Sequence, residues 1–336
     1  MRQRVFTKVL AVALLLAALA LPTGSRAQDP AQPLRLTAGG VTGIYFALSS
    51  AFCRLLEPDL AVRVRSCEVR SSQGSVSNLR LIRAGAADIG LAQADMVGLA
   101  SAGSGVFAES GPNPSLRVLF STVLEKLTII LAPESRTGVV DDLLGRRVDF
   151  GPLGSGSRAS ALRYLDSRGL SLDAFEPIGV GTSSLAAQQL CRGNADAFVF
   201  ISAHPNSVVQ EAIATCAATV FPIGGRNGAE HLERFIVDFP EYVRVSIEAD
   251  LYPEIPVDVE TFGVPAIVVA DASLDEETAY HLTKTVFEQL PALRVLHISF
   301  SELTVDDLLR PCAGAPYHAG ALRYFAEVGI TPPACG

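Results

Sequence analysis

Four short segments carry glycine beside small hydroxyl residues, each where a strand-like run gives way to a helix-like one: Thr42-Gly43, Gly74-Ser75, Ser155-Gly156-Ser157 and Gly181-Thr182. The chemistry open to such segments is anion binding. The first backbone N–H groups of a helix have no partner within it, and the helix dipole is positive at that end. A carboxylate or phosphate can be held there without Lys or Arg. One such loop is accounted for by a tight turn and an N-cap; four, in two matched pairs, point to a site. Tyr45, one turn into the first helix, can stack on or hydrogen-bond a ligand, or fill the core. Of the five histidines (204, 231, 281, 297, 318) only His204, at the C-terminal end of an expected strand, is directed at the same region. Asp95 and Glu125 read as cap or hinge residues.

Enzyme motifs do not account for these residues. Ala38-x-Gly40-x-x-Gly43 after a strand falls short of the dinucleotide fingerprint by its first glycine, and Gly151 to Arg158 contains no Gly-Lys-Ser/Thr. There is no Gly-x-Ser-x-Gly elbow and no His-Glu-x-x-His. No metal site and no cofactor is expected. One enzymatic alternative stays open, a secreted hydrolase using Ser155 or Ser157 with His204.

The elements that must position the loops follow one pattern written twice. Leu34–Thr37 alternates as a strand, the glycine loop follows, and Tyr45, Leu48, Phe52, Leu55 and Leu56 recur at helical spacing. A strand at Val62–Val64, a helix from Val76 to about Gly85 and a buried strand at Asp88–Ala92 complete the unit. The order returns as a strand at Arg147–Phe150, a glycine loop, a helix through Leu162 and Leu165, a strand at Pro177–Val180, a helix through Leu185 and Leu190, and a strand at Ala197–Ile201. Gly85-Ala86-Ala87-Asp88 and Gly193-Asn194-Ala195-Asp196 close the two halves alike, with Gly where a helix stops and Asp where a strand starts. Such β-loop-α-β-loop-α-β units build mostly parallel sheets covered by helices. Open sheets of this kind bind ligands beyond the carboxyl ends of their strands, where these loops lie. Leu116–Phe120 and Leu127–Leu131 are expected as crossing strands, Phe262–Val269 as the return, and Glu276–Leu290 as a helix capped by Ser273 or Asp275.

The chain of 336 residues is 49% hydrophobic and 18% charged, enough for two cores and incompatible with a disordered chain. Its formal charge of -8, with no basic run, excludes a phosphate-tracking face and hence a nucleic-acid partner. Residues 1–27 read as a secretory signal peptide: Arg2, Arg4 and Lys8, then 13 apolar residues from Val9 to Leu21, then Ser25-Arg26-Ala27. The apolar run is shorter than the roughly 20 residues that span a bilayer. Removing the segment, four of whose residues are basic and none acidic, leaves 309 residues at a formal charge of -12. All six cysteines remain, which suits an oxidising compartment. No Cys-x-x-C occurs, and six cysteines allow 15 pairings. The sequential set, Cys53–Cys67, Cys191–Cys216 and Cys312–Cys335, is the expected one, with buried free thiols as the alternative.

Taken in order, Gly39-Gly40-Val41-Thr42-Gly43-Ile44-Tyr45-Phe46, Gly74-Ser75-Val76-Ser77-Asn78-Leu79-Arg80, Gln93-Ala94-Asp95, Gly151-Pro152-x-Gly154-Ser155-Gly156-Ser157 and Ala203-His204-Pro205-Asn206 resemble the motifs of the TAXI family, the solute-binding receptors of one class of TRAP transporters. The resemblance runs from about Leu34 to Ile330. It departs from the family at Gln73, where a second Gly is common, at Phe46, where Tyr is frequent, and at Ser157, where Thr is usual. It implies a periplasmic-binding-protein-like (type II) fold, two α/β lobes joined by crossing strands around a central cleft. It further implies an exported, periplasmic receptor that closes on a small anionic solute, glutamate-like or a C4/C5 dicarboxylate, and delivers it to TRAP-type permease subunits driven by an ion gradient. The expected lobes are 28–124 with 264–336, and 125–263. The expected ligand set joins Gly40, Thr42, Gly43 and Ser75 of the first lobe to Ser155, Gly156 and Ser157 of the second. Tyr45, Gln73, Asn78, Gln93 and His204 are the further polar candidates. A same-shaped receptor feeding an ATP-driven importer, or a sensor, is the alternative.

Overall fold

The computed structural model describes residues 33–62, 66–135, 137–178, 181–225, 228–252, 254–311 and 314–335. The expected signal peptide, positions 63–64 and 179–180 of two expected strands, and Cys312 lie outside them.

The first unit runs β1 (Leu34–Thr37), α1 (Ile44–Val62), β2 (Cys67–Arg70), α2 (Ser75–Arg83), β3 (Ile89–Gln93) and α3 (Ala94–Ala102). After β4 (Leu116–Leu131), the second runs β5 (Arg147–Asp149), α4 (Gly156–Ser167), β6 (Glu176–Pro177), α5 (Ser183–Cys191), β7 (Ala197–Ser202) and α6 (Ser207–Cys216). Then come β8 (Thr219–Phe221), α7 (Ala229–Asp238), β9 (Val243–Ile247), β10 (Val259–Asp271), α8 (Glu276–Glu288), α9 (Leu290–Arg294), α10 (Val305–Leu308) and α11 (Ala319–Glu327).

The strand order, β2-β1-β3-β10-β4-β7-β5-β6, reads as one motif and its repeat about a central pair. In each unit the first strand lies between the other two and pairs with both in parallel. The central pair is antiparallel and long enough to serve both units. Near its start β4 pairs with the end of β10 through Leu116–Asp271; near its end, Lys126 to Leu131 pair with β7. The two expected crossing segments are thus one strand of 16 residues. The second expected strand, Val62–Val64, is displaced: Val62 closes α1 and the strand forms at Cys67–Arg70, whose alternation places Cys67 and Val69 inward of Glu68 and Arg70.

The matched closing phrases perform the same local task. Asp88 accepts from the backbone N–H of Arg35 at 2.8 Å and from its guanidinium at 2.7 Å, while the Asp88 N–H donates to the Arg35 carbonyl. Asp196 does the same with Arg147, at 2.9 Å and 2.9 Å. Each Asp thereby sets the register between the first and third strands of its unit.

β3 and β7 are buried on both faces, as parallel strands between helical layers must be. One apolar core joins α1, β1 and β3 to α8 and α11, with Phe120 edge-on to both Phe52 and Phe287. A second packs α5 and α6 on β7, and a third fills the space shared by α2, α3, α4 and α7. Cys53 is bonded to Cys67 and Cys191 to Cys216. Cys335 is also disulfide-bonded. Among the described residues no helix is long and apolar enough to cross a membrane.

Candidate functional site

A cavity of about 380 Å³ opens where the glycine loops of the two units face each other across β4. All four segments singled out above contribute to its wall: Thr42 and Gly43 before α1, Gly74 and Ser75 at α2, Ser155 to Ser157 at α4, and Thr182 with Ser183 at α5. A fifth helix start joins them, since Asn206, the N-cap of α6, also lines the cavity. Five helix N-termini therefore converge on one space.

The side-chain hydroxyls there are largely engaged within the protein. Ser155 Oγ caps α4 by accepting from the Arg158 N–H at 3.1 Å. Ser157 Oγ donates to the Ile201 carbonyl and accepts from its N–H at 3.0 Å. Ser75 Oγ accepts from the Gln93 N–H at 3.2 Å. What the termini leave for a ligand is backbone N–H, the group a helix's first turn cannot satisfy internally. Gln93 adds a donor: its side chain is 1% exposed and lines the cavity, and its Nε2 has no hydrogen-bond partner. A buried amide N–H without a partner costs on the order of 1–3 kcal/mol, which a ligand acceptor recovers.

The two units touch directly around this space. The Ser77 N–H donates to the Gly154 carbonyl at 3.1 Å, and Thr42 Oγ1 lies 3.1 Å from Ser184 Oγ. Gly156 must be glycine here, because a Cβ on it would sit 2.0 Å from Gln93 Oε1 and 2.4 Å from Ser75 Oγ. Below the contact Asp95 accepts from Ser160 and Tyr242, both at 2.5 Å, and from the Met96 N–H. Burial nonetheless raises its pKa above the ordinary aspartate value.

Among the described residues no Lys, Arg or His lines the cavity, and the one acid on its wall is Glu125. Glu125 is 3% exposed, and its Oε2 accepts from the Tyr45 hydroxyl at 2.6 Å. Burial drives its pKa up to about 8, against the lowering effect of the Tyr45 bond. Its place on β4, at the crossing between the units, is why it reaches the cavity; an isolated acid in the run Thr122 to Leu127 is the sequence signal for it.

Of the expected site residues, Gly40, Thr42, Gly43, Tyr45, Gln73, Ser75, Gln93, Ser155, Gly156 and Ser157 come together on this wall. Asn78 and His204 do not. Asn78 is fully buried and its amide is used up: Nδ2 donates to the carbonyls of Leu91 (2.7 Å) and Ala38, and Oδ1 accepts from Thr37 and Ser72. It pins the loop before α2 to β1 and β3. His204 lies behind the wall, with Nε2 2.9 Å from Thr128 Oγ1 and Nδ1 2.6 Å from the Tyr252 hydroxyl. Burial holds its pKa at about 3, so the ring is neutral. No hydrogen bond joins it to Ser155 or Ser157, and the serine–histidine pairing that a hydrolase needs is not formed. Among the described residues no group of three or more His, Cys, Asp or Glu could hold a metal ion.

Residues 36–329 match the family described as the NMT1-like family. Among solved structures, a protein of Bordetella bronchiseptica RB50 shares the fold at a TM-score of 0.51 and 14% identity, covering 90% of both chains. The alkanesulfonate-binding protein SsuA from Xanthomonas axonopodis pv. citri, bound to MOPS, aligns at 0.46 and 18% identity over 91% of this chain and 82% of its own. PhnD1 from Prochlorococcus marinus MIT 9301, in complex with methylphosphonate, aligns at 0.46 and 12% over 92% and 93%.

Proposed function

The chain belongs to the NMT1-like family, and from that premise we propose that it is an exported solute receptor that captures a small organic acid between two lobes. The observation that carries this reading is the convergence of five helix N-termini on a cavity whose wall, among the described residues, has no Lys, Arg or His. Such a wall holds an anion by backbone N–H groups and oriented dipoles, with no counter-charge to be desolvated. The formal charge of -12 after loss of residues 1–27 does not oppose this. Helix-end fields act within a turn, while distant charges are screened over about 8–10 Å. The lobes are 28–124 with 264–336, and 125–263, and hinge bending about β4 and β10 lets the solute in and out. The TAXI resemblance supports a TRAP-type permease driven by an ion gradient as the partner and the periplasm as the compartment.

Native mass spectrometry of freshly purified protein, followed by unfolding and identification of whatever is released, tests the reading. A stoichiometric small acid is the expected result. Turnover of the released compound, or release of a neutral or cationic molecule, contradicts it. For the partner, solute uptake in intact cells should fail when the ion gradient is collapsed and survive when ATP alone is depleted.

A further inference from the structure

Resting on the receptor reading, we propose that Glu125 meets the solute as a neutral hydrogen-bond donor, so that anion capture is linked to retention of one proton and the site prefers plain carboxylic acids to amino acids. The geometry is the ground for this. Glu125 is buried at the crossing strand, on the wall of the cavity, with one oxygen committed to the Tyr45 hydroxyl and no described residue bonded to the other. A carboxylate there would be an unpaired buried charge, and it would repel the anion that the helix starts attract.

The described groups packed around it offer no compensating cation. From α1 comes Tyr45, and from α2 Ser75, 3.4 Å from the Tyr45 hydroxyl. At the start of α3 lies Asp95, an acid whose charge only disfavours ionisation of Glu125. On β10 Val264 stands opposite. Lys126, next along β4, is bound to Glu248 and the Ser246 carbonyl, and His204 beyond it is neutral. The raised pKa of about 8 agrees with this setting. A protonated carboxyl keeps one O–H to give. Bound anion favours the proton and the proton favours the anion, by the reciprocity of linked equilibria. An α-ammonium group, in contrast, would enter a wall with positive helix ends and no ionised acid to pair with it.

Calorimetric titration with succinate, glutarate, L-aspartate and L-glutamate, from pH 6 to 9.5, on the intact protein and on Glu125→Gln, tests the proposal. The expected result is a Kd for a plain diacid that is flat below about pH 7 and weakens toward tenfold per unit above about pH 8. The amino acid of equal length should bind at least about tenfold more weakly, and Glu125→Gln should abolish the pH dependence. Tyr45→Phe, which removes the bond that favours the ionised form, should move the break to higher pH. A Kd independent of pH, or amino acids preferred with affinity rising with pH, overturns the proposal while leaving the receptor reading in place. If none of the four binds and no acid is released on unfolding, the receptor reading falls and the proposal with it. Infrared difference spectra of the intact protein minus Glu125→Gln at pH 7 need no ligand. A protonated-carboxyl C=O band is expected, and its absence overturns the proposal.

Discussion

Glu125 carries a consequence for the unliganded protein as well. In the unfolded chain this carboxyl ionises near its ordinary value of 4.5, whereas in the fold it stays protonated up to about 8. Folding therefore takes up a proton between those values. The stability this group contributes is complete below about pH 4.5 and lost as pH rises through about 8. Thermal melts should show the intact protein losing, relative to Glu125→Gln, on the order of a few kcal/mol across that window. A parallel pair of pH profiles would show that Glu125 is ionised in the fold. Gly156 makes a second residue-scale test. Gly156→Ala pushes a methyl group toward the Gln93 amide and the Ser75 hydroxyl at the meeting of α2 and α4. Because both neighbours are buried, the two helix starts must part by about an ångström, and solute affinity should fall by about tenfold or more. Unchanged affinity by calorimetry would show that the two starts do not act on one ligand.

Among the elements, the paired clamps Arg35–Asp88 and Arg147–Asp196 tie the first strand of each unit to its third. Asp88→Ala should cost about 1.5–3 kcal/mol in denaturant unfolding, since it removes charge-assisted bonds from a carboxylate that is nearly buried. Asp196→Ala should cost less, because its pair is more open to water, at 36% and 16% exposed against 24% and 5%. Equal costs, or none, would mean that register is set elsewhere. These clamps were legible as matched Gly-x-Ala-Asp phrases, and the glycine loops were legible because a strand-to-helix turn needs residues without bulk. β4 was not legible as one strand. Ser121, Thr122, Glu125 and Lys126 break its apolar run where it passes between the units: Ser121 and Thr122 donate to the Asp307 and Ala266 carbonyls, Lys126 pairs with Glu248, and Glu125 lines the cavity. Val62 imitated a strand with its neighbours, although it ends α1. β9 is an edge strand whose Val243-Arg244-Val245-Ser246-Ile247 does alternate apolar and polar, although two exposed residues stand at its start. Asn78 and His204 were typed correctly as polar but misplaced, because spacing tells which face a residue takes and not which partners have already claimed it.

At the scale of the whole molecule, two copies of one βα unit share a central strand pair and present their helix starts to each other. A ligand gripped from both sides stabilises the folded state by mass action. At 100 times its Kd, the released acid should add about 2.7 kcal/mol to the melting free energy, and a compound of the same size without an acidic group should add nothing. The bond Cys53–Cys67 ties the middle of α1 to the start of β2 and Cys191–Cys216 joins the ends of α5 and α6, each within its own unit, so reduction should lower the melting temperature more than it lowers solute affinity. The most direct test is a crystal structure of the protein with its co-purified solute. Carboxylate or other acid oxygens should lie at about 2.7–3.2 Å from backbone N–H groups of both α2 (Ser75, Val76) and α4 (Gly156, Ser157). An acid bound outside this cavity, or held by side chains of one unit alone, would contradict the account.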